Sequence, residues 1–195
     1  MKKTGIILAS ASPRRVELLQ QISVEFEQRV ADIDETHRAG ETAELFVCRL
    51  AEEKAQAVFD QSSKELPVLG SDTIVVVDEH ILGKPTDYQH AVQMLKMLSG
   101  RKHQVMTAVT LVSDKQLTTK VNISDVTFMA LSQQMIDAYW QTGESLGKAG
   151  AYAIQGVAAQ FITEIKGSYS SIMGLPLYEV RCLLEEAGIQ VLGHQ

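Results

Sequence analysis

Two rhythms of apolar residues divide the chain. Short apolar runs bounded by Gly, Pro, Asp or Ser predict strands at Gly5 to Ala9, Pro67 to Leu69, Ile74 to Asp78, Ile81-Leu82, Gln104 to Val112, Lys120 to Phe128 and Gln160 to Lys166. Apolar residues recurring every three or four positions predict helices from Pro13 to about Gln21, Thr42 to about Phe59, Tyr88 to Ser99, Ser132 to Gly143 and Pro176 to Gly188. Ser12, Asp87 and Ser132 are residue types that cap helix starts, and Gly100 and Gly188 suit helix ends. Gly70-Ser71-Asp72-Thr73 reads as a break between two β runs. Strands alternating with helices imply an α/β architecture. No internal repeat, low-complexity tract or linker interrupts the pattern, so a single domain over residues 1–195 is expected.

Composition narrows the function classes. Of 195 residues, 45% are hydrophobic and 22% charged, which is a globular balance. The 18 Lys and Arg against 24 Asp and Glu leave a net charge of −6, which argues against general affinity for nucleic acid or an anionic membrane. An anionic ligand would therefore need a local cluster of cations. Cys48 and Cys182 are the only cysteines, too few for a disulfide framework and in keeping with a reducing cytoplasm. His37, His80, His90, His103 and His194 show no metal-ligand spacing. Met1-Lys2-Lys3 and Arg14-Arg15 superficially resemble parts of export signals, but the apolar run between them is too short and precedes the arginine pair. No uncharged apolar stretch is long enough to span a bilayer, so a cytoplasmic location is expected.

Several residues sit where their chemistry is expensive. Arg14 and Arg15 lie in the first turn of a helix, whose free N–H groups already repel cations. Together with the hydroxyls of Ser10 and Ser12 they would suit a phosphate chain; otherwise they face solvent or pair with nearby carboxylates. Asp72 stands between apolar β runs, either as a general base for water or as a turn residue bonding its own backbone. Lys54 shares the helical stripe of Val47, Leu50, Ala51 and Val58, so it reaches an anion in a cleft or snorkels to the surface. Lys84 precedes Pro85, which holds the chain extended. Asp32, Asp34 and Glu35 offer oxygen ligands for Mg²⁺ or Mn²⁺, or form a charged surface loop. Gly147-Lys148-Ala149-Gly150 and Gly156 would let backbone approach a ligand, with Gln155 able to donate and accept. P-loop, dinucleotide-fingerprint and nucleophile-elbow motifs are absent.

Read together, the ordered blocks Leu8-Ala9-Ser10-Ala11-Ser12-Pro13-Arg14-Arg15, Glu52-Glu53-Lys54-Ala55, Gly70-Ser71-Asp72-Thr73, Gly83-Lys84-Pro85, Leu98-Ser99-Gly100, Lys148-Ala149-Gly150-Ala151-Tyr152-Ala153-Ile154-Gln155-Gly156 and Gly174-Leu175-Pro176 resemble the Maf family of nucleoside triphosphate pyrophosphatases. The resemblance covers almost the whole chain. It implies an elongated, twisted mixed sheet flanked by helices, with two lobes and a deep cleft, similar to the inosine triphosphatase architecture. It also implies hydrolysis of a nucleoside triphosphate to monophosphate and pyrophosphate with a divalent metal (Mg or Mn), and a homodimer would be unsurprising.

Carried over by position, Asp72 matches the general base, and Ser10, Arg15, Lys54 and Lys84 match groups that hold the triphosphate. Glu35 matches an acidic residue near the metal, which Asp72 would share. Arg14, Thr73 and Gln155 match three specificity positions, and this combination is similar to the branch acting on dTTP and UTP, including modified pyrimidines. Alternatives are the same reaction on methylated guanine or other noncanonical nucleotides, or a nucleotide-sensing regulator of cell division. Ser71 departs from a more familiar alanine, Gly147 from a frequent acidic residue, and Gly167-Ser168-Tyr169-Ser170-Ser171 lacks a polar amide often seen late in that loop.

Overall fold

The apolar runs become the buried strands of a mixed sheet in the computed structural model, which describes residues 5–191. The expectations for Met1-Lys2-Lys3 and His194 fall outside those residues. Strand β1 (Ile6–Ala9) is buried throughout and runs parallel to β2 (Phe26–Arg29) and to β3 (Val68–Val77). The remaining strands are β4 (His80–Leu82), β5 (Lys102–Val112), β6 (Leu117–Phe128) and β7 (Ile162–Lys166). Their order is β2-β1-β3-β5-β6-β7, with β4 antiparallel on β3, so the seven-stranded sheet is open and mixed. Helices α1 (Pro13–Gln21), α2 (Ala43–Gln61), α3 (Tyr88–Leu98), α4 (Gln133–Gln141), α5 (Tyr169–Met173) and α6 (Leu177–Glu186) complete the α/β fold. Among the described residues no helix is long and apolar enough to cross a membrane.

Helix starts follow their local chemistry, with one exception. The side chains of Thr42, Asp87 and Ser132 accept the backbone N–H of Leu45, His90 and Met135, as capping requires. Ser12 occupies the corresponding place before α1 but makes no side-chain cap, and its amide donates to Ser10 Oγ at 3.1 Å instead. The predicted break at Gly70-Ser71-Asp72-Thr73 is also overturned. β3 runs unbroken through these residues, and the turn reading of Asp72 falls with the break.

The chain forms two compact units, one of residues 5–72, 107–122 and 174–191, the other of residues 73–106 and 123–173. In the first, Ile7, Ala9 and Val68 of the parallel strands pack with Ala55, Val58 and Phe59 of α2. In the second, Val75, Leu95, Phe128, Ile136, Tyr139 and Phe161 belong to one apolar core.

His103 is buried in that second core, edge-on to Phe128 and bonded through Nε2 to the Tyr152 hydroxyl at 2.9 Å. Burial pushes its pKa down to about 4. An imidazole whose pKa is lower folded than unfolded contributes stability above about pH 6.5 and loses it as the pH falls towards 4. Chemical denaturation between pH 8 and 4.5 should show a loss on the order of 3 kcal/mol that His103→Gln largely removes.

Candidate active site

The first unit brings together Glu35, Lys54 and Asp72 through the close seating of α2 on β3. A Cβ on Gly70 would lie only 2.7 Å from the Ala55 amide nitrogen and 2.8 Å from Ala55 Cβ, so the approach requires glycine. Gly70 and Asp72 are two residues apart on one strand and therefore face the same side. That side is the one α2 covers. Lys54, on the buried stripe of α2, reaches the carboxylate, Nζ to Oδ1 2.6 Å. The Lys54 and Asp72 side chains are each only 12% exposed, so the pair is far less screened than a surface contact.

Lys54 Nζ also lies 2.6 Å from Glu35 Oε1, so a single ammonium bridges two carboxylates. Glu35 sits on an exposed loop fastened to α2 by Arg49. The Arg49 guanidinium donates to the Thr36 carbonyl at 3.0 Å, to both oxygens of Glu41 at 2.6 and 2.9 Å, and to Glu53 at 3.1 Å. Its hydrogen bonds hold the Glu41 carboxyl down at about 2. The acidic cluster of the sequence thus divides: Glu35 reaches Lys54, whereas Asp34 accepts the Thr36 amide of its own loop at 2.9 Å.

Arg15 Nε donates to the Gly174 carbonyl at 2.7 Å, and Nη1 donates to Ser10 Oγ at 3.2 Å. Burial pulls the Arg15 pKa below its ordinary value, opposed by the negative charge of Asp72. The two groups therefore share one electrostatic environment, to which Arg14 and Glu35 also contribute. The Ser10 carbonyl accepts from Gln28 at 2.8 Å, so β2 steadies the start of this cluster.

Ser71 is fully buried, and its hydroxyl donates to the carbonyls of Ala108 at 2.9 Å and Gly174 at 3.1 Å. Sequence reasoning gave Ser71 and Gly174 no role. The available signal was a serine set between Gly70 and Asp72, the two residues committed to α2.

Lys84, Thr73 and Gln155 belong to the second unit. Lys84 is exposed beside Gly83, whose carbonyl accepts the Gly150 amide at 3.0 Å. Thr73 is partly buried in β3, and Gln155 is exposed on a turn closed by Gly156 N–H to the Ala153 carbonyl, 3.1 Å. The close approaches at Gly150 and Gly156 are to protein atoms, the Val75 side chain and the Glu144 carboxylate respectively. A Cβ at Gly147 would meet open space.

Among the described residues no group of three or more His, Cys, Asp or Glu side chains could hold a metal. The protein's own donors at the Lys54 bridge are two carboxylates, a hard-oxygen set that fits Mg²⁺ or Mn²⁺ when phosphate oxygens and water complete the shell.

The strand order and the helices around it define an α/β fold with an open, mixed sheet. The solved structure of the Staphylococcus aureus Ham1 protein aligns with a TM-score of 0.51 at 12% identity, over 94% of this chain and 99% of that one, a likeness of fold. Residues 5–187 match the family described as Maf-like protein, and the chain belongs to the Maf family. A dTTP/UTP pyrophosphatase of Pseudoalteromonas atlantica is 52% identical over 187 residues, covering 94% of this chain and 97% of that protein. One from Escherichia coli O157:H7 is 49% identical over 181 residues, covering 93% and 92%.

Proposed function

We propose that this protein hydrolyses dTTP and UTP, and modified pyrimidine triphosphates, to the nucleoside monophosphate and pyrophosphate. The observation that carries the reading is the largely shielded Lys54 ammonium, its side chain 12% exposed, between Glu35 and Asp72, with Arg15 in the same electrostatic environment. Support for the substrate comes from relatives at about 50% identity that carry the dTTP/UTP pyrophosphatase name.

Asp72 acts as general base. It takes one proton from water as the water oxygen bonds to the α-phosphorus and the bond from that phosphorus to the bridging oxygen of the β-phosphate breaks. The electron pair leaves with pyrophosphate. Lys54, Lys84 and Arg15 offset its growing charge, and Ser10 with Arg15 holds the phosphate chain. Glu35 and Asp72 would hold a divalent cation, which when bound supplies Lewis-acid neutralisation of the phosphates. Arg14, Thr73 and Gln155 read the base edge, where a mismatched hydrogen bond is penalised. The enzyme works in the cytoplasm, in keeping with two free cysteines, and a homodimer is compatible with this role.

A pyrophosphate-release panel with Mg²⁺ or Mn²⁺ tests the reading. The expected result is a kcat/KM for dTTP and UTP at least about 10-fold above those for CTP, GTP and a base-methylated GTP. Preference for the methylated guanine nucleotide moves the substrate assignment, and tight binding without release of pyrophosphate supports a sensor instead.

A further inference from the structure

Glu144 lies outside the catalytic cluster, and its carboxylate accepts three hydrogen bonds. Oε2 accepts the Val157 amide at 2.7 Å, while Oε1 accepts the Ala158 amide at 3.1 Å and the Tyr139 hydroxyl at 2.8 Å. The two amides open the 3-10 segment Val157–Phe161, whose first N–H groups have no partner within the segment itself. Tyr139 is almost wholly buried, and burial together with the bond to Glu144 raises its pKa above the usual phenol range. Gly156 completes the arrangement, because any side chain there would overlap the carboxylate. Its φ of −112° is open to other residues, so the demand is for space alone.

Gln155 stands immediately before this clamp. On its N-terminal side Tyr152, Ala153 and Ile154 are buried, and on its C-terminal side Glu144 holds the amides of Val157 and Ala158. An exposed amide side chain is thus carried on a turn fixed at both ends. Orientation matters for such a group, since an amide both donates and accepts and can satisfy opposite base edges by turning over. Uracil and thymine present acceptor, donor, acceptor along the pairing edge, and cytosine presents donor, acceptor, acceptor. A loosely held amide would accommodate either.

We propose that Glu144, with Tyr139, is a positioning residue for Gln155 and thereby part of how the enzyme selects its nucleobase. The inference rests on the reading above that Gln155 meets the base. It assigns Glu144 no contact with the substrate.

The test is the ratio of kcat/KM for UTP to that for CTP in four variants: Gln155→Ala, Glu144→Gln, Tyr139→Phe, and Glu144→Gln combined with Gln155→Ala. Glu144→Gln keeps the shape but turns one acceptor into a donor facing donors. It should lower the ratio about 10-fold through a rise in CTP turnover and in KM for UTP, leaving kcat for UTP within about twofold. Tyr139→Phe, which removes one hydroxyl and keeps the ring, should lower the ratio about threefold and serves if Glu144→Gln does not fold. In the double variant the ratio should equal that of Gln155→Ala alone, because the two residues act as one.

An equal fall for both nucleotides with the ratio unchanged, or additive effects in the double variant, overturns the positioning role. A ratio unmoved by Gln155→Ala alone is a different failure. It removes Gln155 from base reading, and the role of Glu144 falls with it.

Discussion

Replacing Asp72 with asparagine should lower the rate of pyrophosphate release about 10³-fold, within the range general-base removal commonly costs. The amide matches the carboxylate in shape and can still accept from Lys54, which lies 2.6 Å away and keeps its second partner, Glu35. Packing is therefore preserved while the proton acceptor is lost. Nucleotide affinity, measured by calorimetry on the same variant without divalent metal, should stay within about threefold because Arg15, Lys54 and Lys84 are unchanged. Near-normal turnover by Asp72→Asn would refute the base assignment and shift attention to Glu35, the other carboxylate on the ammonium.

The largest effect on stability should come from Gly70→Ala. In an ordinary strand this change is favourable by about 0.5–1 kcal/mol, because alanine has less backbone freedom to lose. Here the added carbon meets the Ala51 carbonyl oxygen and the backbone and side chain of Ala55, none of which can swing away as a flexible side chain would. Overpacking against backbone should win, with a net loss of about 3 kcal/mol in urea denaturation. As α2 moves outward, Lys54 moves with it, so activity should fall at least about 10-fold even where the variant is fully folded. A variant as stable and as active as the parent would mean that the glycine is not what seats the helix.

This glycine also marks where sequence and structure part company. The helices other than α5 were legible because their apolar stripes and most of their caps are local features: Asp87 and Ser132 cap as their types suggest. The central strands were legible from their buried runs. Gly70-Ser71-Asp72-Thr73 misled because glycine, serine and aspartate are turn formers by local propensity. In the fold each is explained by a distant partner: Gly70 by the α2 backbone, Asp72 by Lys54, and Ser71 by two carbonyls.

β2 escaped notice for the opposite reason. Phe-Glu-Gln-Arg has little apolar content, and it is a strand through its parallel pairing with β1 at the end of the sheet order. In the candidate site, the residue types of Glu35, Lys54 and Asp72 were visible as chemically costly. Their convergence was not, because 37 positions separate Glu35 from Asp72 and only the seating of α2 on β3 closes that gap.

The carbonyl of Gly174 receives both Arg15 and Ser71. An alanine in place of that serine would leave the guanidinium as its partner and take nothing from Asp72 or Lys54. Evolution thus has a dial next to the chemistry, a single oxygen atom gained or lost. Turning it changes how firmly Gly174, just ahead of the closing helix, is tethered to β3, and leaves the Lys54–Asp72 contact as it is.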